Sequence, residues 1–330
     1  MTTEVVDIRH FGAGDFAALL EAESSAWTKS LRWDYTPSVR LIAACLADKR
    51  LSGYALVADQ RIQGYSFFLY EDQKGLIGNL FVEPNGSSRE HALLLLDHVI
   101  ETLKATPGLR RVEAQLPHFA LQELESCFER HQFATYLRRF MALRLKSRLS
   151  GSLPLTEPLR GAHRFSSTVP EDFIIEPWER RHDEEAARLL YHAYRGHIDA
   201  EINDQYCSLQ GSLRLIENIV HLHGCGENVP QASLVVIQRD TGKLAGILAL
   251  TAVRPTTAHI PQIAVSREFQ RGGLGIGLME ASFRELGKLG FEEVSLTVTD
   301  LNVNAVRFYE RLGFETFRTF GAFAWNRPAP

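Results

Sequence analysis

The sequence predicts two α/β domains in tandem, each a mixed sheet flanked by helices, and three observations lead there. The chain has 330 residues, about twice a common domain length. Stretches with helical periodicity alternate with short apolar runs, and hairpin signals are interleaved with crossovers, so each sheet is expected to be mixed. The same order of elements occurs twice, on either side of a stretch from Ser147 to Asp172 that is rich in Ser, Gly, Pro and Thr and lacks periodicity. The expected division is a domain over 1–148, a linker over 149–171 and a second domain over 172–330.

In the C-terminal half, 173–175 opens a strand, and 183–194 places Ala186, Leu189, Leu190 and Ala193 at helical spacing behind acids in the first turn. A second amphipathic stretch covers 213–222. The runs 234–238 and 244–253 flank Asp240-Thr241-Gly242-Lys243, a hairpin signal. A strand over 260–265, a glycine run and a helix over 274–289 follow, with Gly290 a natural C-cap. A strand over 294–298, a helix over 305–312 stopped by Gly313, and a strand over 317–325 complete the half.

The N-terminal half reads in the same order. A helix covers 15–27, a hairpin over 54–70 turns at Asp59-Gln60-Arg61, and 76–82 is a strand. A helix over 91–103, a strand over 111–116, a helix over 121–129 and a closing strand over 136–145 follow. Spacings match between the halves. Val82 to Phe133 is 51 positions and Val265 to Phe314 is 49; Gly64 to Val82 is 18 and Gly246 to Val265 is 19. Such agreement points to a duplicated domain.

Composition excludes several function classes. The chain is 45% hydrophobic and 23% charged with net charge -4, an ordinary globular balance. No basic run marks a nucleic-acid surface, and no apolar run approaches the ~20 residues that span a bilayer. The four cysteines suggest no disulfide framework, and no secretory leader is apparent; a cytoplasmic protein, monomeric or homodimeric, is expected. His221-Leu222-His223-Gly224-Cys225 offers too few ligands too close together for zinc, so no metal is expected.

The chemistry centres on Gln270-Arg271-Gly272-Gly273-Leu274-Gly275, between a strand and a helix. The first N–H groups of a helix have no internal partners and favour an anion in front of them, and glycine lets a phosphate approach closely. A dinucleotide fingerprint would need glycine where Leu278 stands, and a P-loop would need lysine where Ile276 stands. A plain glycine-rich turn remains open from the loop alone.

Downstream, Asn302-Val303-Asn304-Ala305-Val306-Arg307-Phe308-Tyr309-Glu310-Arg311-Leu312-Gly313-Phe314 follows in order. Together, Gln-x-x-Gly-x-Gly and Asn-x-x-Ala-x-x-x-Tyr-x-x-x-Gly-Phe resemble the two signatures of the GNAT superfamily of acyl-CoA N-acyltransferases. The resemblance covers roughly 173–325, and the tandem layout is similar to that of mycothiol synthases. It implies a central pair of strands, 260–265 and 294–298, that splay apart to admit the pantetheine arm of acetyl-CoA. The arm would pair with backbone groups of Ile263, Ala264 and Val265. The N–H groups of Arg271, Gly272, Gly273, Leu274, Gly275 and Ile276, with Gln270 beside them, would hold the pyrophosphate. Asn302 and Ala305 would help position the cofactor, and Tyr309 would protonate the departing thiolate. A backbone N–H of the splayed strand would stabilise the developing oxyanion.

The acceptor is expected to be an amine of a small molecule or peptide. Many family members place a Glu on the strand before the glycine loop; here His259-Ile260-Pro261-Gln262-Ile263-Ala264-Val265 contains no acid. His259 and Glu201 are the candidate bases, with His197, Asp204 and Tyr206 as further residues of the acceptor loop. In the first half, Phe128 stands where Tyr309 does, Leu121 where Asn302 does, and Pro84-Asn85-Gly86-Ser87-Ser88-Arg89-Glu90 replaces the glycine loop. Glu90 would repel a pyrophosphate. The N-terminal half is therefore expected to be a degenerate GNAT-like domain, with one acetyl-CoA bound per chain. A non-catalytic acyl-CoA sensor is the alternative function.

Overall fold

The computed structural model describes residues 3–145, 169–222 and 224–328. Most of the expected linker, 149–168, lies outside the described residues, as does His223. The chain forms two compact units: unit 1 comprises the chain up to Arg138 together with the segment from Arg318 onward, and unit 2 comprises Arg139–Phe317.

Unit 1 runs β1 (Thr3–Asp7), α1 (Ala17–Ala26), α2 (Thr36–Ala47), β2 (Ser52–Ala58), β3 (Arg61–Glu71), β4 (Lys74–Val82), α3 (Ser88–Ala105), β5 (Arg111–Gln115), α4 (Leu121–Arg130) and the first residues of β6 (Ala134–Arg144). Strands β1 to β5 lie in sequence order; β4 and β5 are parallel, and Ala322–Asn326 adds antiparallel to β5. The β2–β3 hairpin turns on Asp59 and Gln60 at φ 51° and 62°, the left-handed pair that matches strand twist.

The sequence reading omitted β1 and α2. Helix α2 has proline in its first turn and buries Ile42 and Leu46. With Val39 and Ala43 packed alongside, these residues repeat at the spacing of one helix face. That signal was present but was interrupted by the polar stretch before it.

Unit 2 contains β6 from Arg139, then β7 (Phe173–Pro177), α5 (Asp183–Tyr194), α6 (Ile198–Ile202), α7 (Leu209–Ile216), β8 (Glu227–Asn228), β9 (Leu234–Gln238), β10 (Leu244–Arg254), β11 (Thr257–Val265), α8 (Leu274–Lys288), β12 (Glu293–Thr299), α9 (Val303–Arg311) and the first residues of β13 (Glu315–Asn326). Its strand order is β6-β12-β11-β10-β9-β7, with β8 on β10. Strands β11 and β12 are parallel and the remaining described pairs are antiparallel. Both units are mixed sheets, as the interleaved hairpins and crossovers predicted.

The duplication is visible in the ladders. Gly64 pairs with Val82, and Gly246 with Val265. Phe67 pairs with Asn79, and Ala249 with Gln262. Immediately before Asn79 and Gln262 each ladder carries a bulge that leaves one extra residue, at Gly78 in β4 and next to Pro261 in β11. The parallel ladders then stop at matching places, Ile77↔Ala114 and Ile260↔Leu296. Beyond those pairs β4 runs on to Val82 and β11 to Val265, so in each unit the two parallel strands separate.

Helices cover both faces of each sheet. In unit 1, α3 and α4 bury Leu95, Leu96, Val99 and Phe128 on one face, while α1 and α2 bury Leu19, Leu20, Ile42 and Leu46 on the other. In unit 2, α8 and α9 contribute Leu278, Met279, Phe283 and Tyr309 to one core, and α5 and α7 contribute Leu189, Leu190, Leu215 and Ile216 to the second.

The paired glycines explain how closely helix and sheet approach. A Cβ on Gly64 would lie 2.9 Å from Val82 Cγ2 and 3.2 Å from Leu95 Cδ1; one on Gly246 would lie 3.2 Å from Leu278 Cδ1. Gly64→Ala is expected to destabilise unit 1 by about 1–3 kcal/mol through overpacking, more than Gly246→Ala destabilises unit 2. Urea unfolding of the two variants, followed by circular dichroism, measures the difference.

Candidate acyl-CoA and acceptor site

The site is built where β11 and β12 part. Pro261 follows the last paired residue of β11 and has no N–H to extend a ladder. Past it, Gln262, Ile263, Ala264 and Val265 pair with β10 on one edge only, through Ala249, Leu248, Ile247 and Gly246. The N–H and C=O groups on the other edge face the opening that pantetheine would need.

At the end of β11 the chain turns through a 3₁₀ segment, Arg267–Phe269, into the glycine loop. Gln270 Nε2 donates to Val265 C=O at 3.1 Å, tying the loop to the strand. Arg271 and Gly273 both take left-handed conformations, φ 65° and 85°, and Gly273 is the N-cap of α8. The first bond back into the helix runs from Gly277 N–H to Gly273 C=O at 2.9 Å. The N–H groups of Leu274, Gly275 and Ile276 therefore lie ahead of it with no partner in the helix. No atom lies within 4 Å of where a Gly273 Cβ would sit, so the cradle is open and suits a diphosphate.

Helix α9 supplies the opposite wall. Asn302 caps it, accepting from Ala305 N–H at 3.2 Å, so its motif position has a structural task as well. Arg139 pairs with Asp300 and lies 3.6 Å from Glu310, bracketing the helix at both ends. Tyr309 is 8% exposed and packs against Phe308 and Phe314. Burial pushes its phenol pKa well up, and the nearby Tyr194 and Asp199 push it further. Such a phenol keeps its proton throughout the neutral range and has it to give.

Residues from α5 and α6 cover the opening. Tyr194, the last residue of α5, stacks on Tyr206 with ring centroids 4.0 Å apart and planes 6° from parallel. Gln262 lies beneath the pair: its Nε2 donates to the Tyr194 hydroxyl and its Oε1 accepts from the Tyr206 hydroxyl, both at 2.8 Å. Asp199 accepts from Thr299 at the end of β12. The Asp199 N–H donates to His197 Nδ1 at 3.1 Å, and His197 Nε2 is 3.2 Å from Asn302 Nδ2. Arg267, beside the glycine loop, donates to Ala193 and Arg195 C=O and so caps the C-terminal end of α5.

The structure thus brings Gln262, Tyr206, His197, Asn302 and Tyr309 to one opening, together with Tyr194, Asp199 and Thr299, which sequence reasoning missed. Tyr194 carried a signal, since it falls four residues after Leu190 on the buried face of α5. Thr299 and Asp199 carried none, because only the tertiary fold joins them. His259 lies on the closed side of the ladder, paired with Thr251 and Ser295, 6% exposed, with Nδ1 2.9 Å from Ser295 Oγ. Glu201 is exposed on α6.

Residues 175–314 match the acetyltransferase (GNAT) family model. Over that segment, which lies within unit 2, the chain is similar to GNAT acetyltransferases. Over 102 residues, 30% of this chain, it is 30% identical to mycothiol acetyltransferase of Propionibacterium freudenreichii subsp. shermanii, covering 32% of that protein. Over 75 residues, 23% of this chain, it is 41% identical to the [ribosomal protein bS18]-alanine N-acetyltransferase of Escherichia coli K12, covering 50% of it. The chain thus spans between a third and a half of the length of these relatives. Whole-chain likeness comes from solved structures. A tandem GNAT protein from the clavulanic acid biosynthesis pathway superposes over 100% of both chains with TM-score 0.60 and 15% identity. A GCN5-related N-acetyltransferase from Sphaerobacter thermophilus covers 99% of this chain and 97% of its own with TM-score 0.64 and 16% identity. At such identities the likeness is one of fold, and it extends the GNAT architecture to unit 1.

Among the described residues, Asp97, Cys127 and His131 of unit 1 have metal-ligand atoms within 4.8 Å of one another. Arg130 donates to both Asp97 oxygens, at 2.9 and 3.0 Å, and occupies the carboxylate a cation would need. Burial raises the Cys127 thiol to about 12. In unit 2, His221 Nε2 lies 2.8 Å from Asp183 Oδ2, a part-buried pairing at the start of α5. No helix among the described residues is long and apolar enough to cross a membrane.

Because Gly273 sits at positive φ, Gly273→Val places a β-branched residue where a side chain costs about 1–2 kcal/mol. Acetyl-CoA affinity, read by isothermal titration calorimetry, is expected to fall about tenfold.

Proposed function

We propose that unit 2 transfers an acetyl group from acetyl-CoA to an amine of a small molecule or peptide. The observation that carries this reading is the convergence at one opening of three features: unpaired strand edge on β11, helix N-terminus at Gly273, and buried phenol of Tyr309. Acetyl-CoA supplies the activated thioester. The N–H groups following Gly273, with Arg271 beside them, hold its diphosphate. The edge of β11 at Ile263 and Val265, whose C=O groups now accept from the Gln262 and Gln270 side chains, takes the pantetheine amides as a sheet would take another strand, and an N–H there faces the carbonyl oxygen as charge develops on it.

The amine nitrogen bonds to the acetyl carbon as the carbon–sulfur bond breaks, and Tyr309 gives its proton to the departing sulfur. Tyr194, Tyr206 and Gln262 form one wall of the acceptor side, and His197 with Asp199 forms the other. The amine proton passes to solvent, since His197 Nδ1 already accepts from the Asp199 N–H and His259 is enclosed by Ser295. Holding both reactants in line contributes much of the rate. The small-molecule and protein acceptors of the relatives leave both classes in play, and the stacked tyrosines favour an acceptor with a flat or apolar body next to its amine.

A sensor that binds acyl-CoA without turning it over is the second reading, favoured by one feature: the open part of β11 carries Gln262, which cannot titrate, where a carboxylate base would be convenient. Release of free thiol from acetyl-CoA across a panel of amines separates the two. Tyr309→Phe is expected to lower turnover about 10²-fold, the low end for a positioned acid, while acetyl-CoA binding holds. Unchanged turnover removes Tyr309 from the acid role, and the absence of turnover with every amine favours the sensor.

A further inference from the structure

Unit 1 keeps the acceptor side of the fold after losing the acyl-CoA side, and it adds a charge there. Asn79 occupies the register position of Gln262. Like Gln262 it is buried, and like Gln262 it is gripped by a phenol, with Nδ2 3.0 Å from the Tyr65 hydroxyl. Above it, Trp27 and Tyr35 stack with centroids 4.3 Å apart and planes 5° from parallel, the counterpart of Tyr194 on Tyr206.

What unit 2 has no counterpart for is Glu23, on α1, which is 0% exposed. Its Oε1 accepts from Asn79 Nδ2 at 2.7 Å and from Trp27 Nε1 at 3.3 Å, and its Oε2 accepts from the Tyr65 hydroxyl at 2.5 Å. All three donors are neutral. Burial raises the Glu23 pKa against the pull of those hydrogen bonds. A buried carboxylate without a cation is costly, and an amide could accept from Asn79 and Trp27 equally well. A carboxylate has about four acceptor positions, and three are taken here.

The way in from solvent is aromatic. Trp27, Trp33 and Tyr35 are each partly exposed. Trp27 also meets the His118 ring edge-on at 4.8 Å. His118 Nε2 is buried with no hydrogen-bond partner, although Arg318 fixes the loop by donating to Pro117 and His118 C=O at 2.7 and 2.5 Å. Trp27 turns its N–H edge to Glu23 and stacks one face on Tyr35; an indole face next to a carboxylate is a recognition chemistry for organic cations.

We propose that unit 1 contains a second small-molecule site, for a primary ammonium ligand whose N–H reaches the fourth acceptor position of Glu23 and whose charge lies against the face of Trp27 that Tyr35 covers. The site belongs to unit 1 alone, so it stands or falls independently of acetyl transfer in unit 2. Ligand entry displaces Tyr35 from Trp27, and the Tyr65–Asn79 floor stays in place.

Tryptophan fluorescence tests this directly: of the four tryptophans, Trp27 and Trp33 lie in the site, Trp325 packs against Phe133 and Lys104 elsewhere in unit 1, and Trp178 lies in unit 2. Benzylamine and 1,4-diaminobutane are titrated into the full chain, with tetramethylammonium as a cation that has no N–H. The expected result is a saturable change with the primary amines that persists in Tyr194→Ala, weakens at least tenfold in Glu23→Gln, and is weaker for tetramethylammonium. Where Glu23→Gln does not fold, Glu23→Asp is read instead; it keeps the charge but withdraws it by one methylene, and a weakening is again expected. No saturable change in the wild type overturns the proposal. So does wild-type affinity in the Glu23 variant that folds, loss of the response in Tyr194→Ala, or equal binding of tetramethylammonium.

Discussion

The parting of β11 and β12 is the constraint on which the rest of unit 2 depends. A parallel ladder that ran to the ends of both strands would satisfy every backbone group and leave nothing for a ligand to pair with. Here the ladder stops at Ile260↔Leu296, next to a bulge and a proline. The remainder of β11 keeps one partner and offers the other edge. Every group of the candidate site is placed by reference to that edge: the glycine loop continues from its end, Gln262 and Thr299 lie on the separated strands, and Tyr309 packs on α9 just beyond β12. Covering helices complete the arrangement, because α5 brings Tyr194 over the opening and Arg267 ties the end of α5 to the loop that starts the diphosphate cradle.

Unit 1 repeats the backbone device without the chemistry. Its parallel ladder stops at the matching pair, Ile77↔Ala114, after a bulge at Gly78. At the Tyr309 position, Phe128 stacks on Phe323 with centroids 3.6 Å apart, both fully buried. A hydroxyl there would be desolvated among apolar rings. The loop before α3 is closed on itself through Asn85, which accepts from Ser87 N–H and whose C=O accepts from Ser88, and Glu90 lies in the first turn of the helix. Backbone geometry is thus shared where the side chains differ, as expected when a bulge and a packed glycine hold helices on a sheet: altering them costs stability, whereas replacing a surface loop does not.

Much of this was legible in the residues. The spacings from Gly64 to Val82 and from Gly246 to Val265 are ladder pairs, so the arithmetic that indicated duplication was counting real register. The glycine loop and Asn302 to Phe314 named the family because those segments are local: each needs only neighbours in sequence to do its work. What was not legible is what the fold assembles across distance. Asp199 to Thr299 and Tyr206 to Gln262 are contacts between residues of ordinary type, and His259 read as a candidate because its strand was right while its side of the bulge was not visible. Glu23 gave no sign either, since a glutamate in a helix is usually solvated, and only its hydrogen bonds with Tyr65 of β3 and Asn79 of β4 reveal that it is enclosed.

The central claim is that one unit of two related folds binds acyl-CoA, because one of two strand openings retains a diphosphate cradle. Calorimetric titration of acetyl-CoA into the full chain, with protein concentration fixed by amino-acid analysis, tests it most directly. The account predicts one site per chain. Two sites per chain would contradict it, since the opening in unit 1 would then bind the same ligand without glycine loop or phenol.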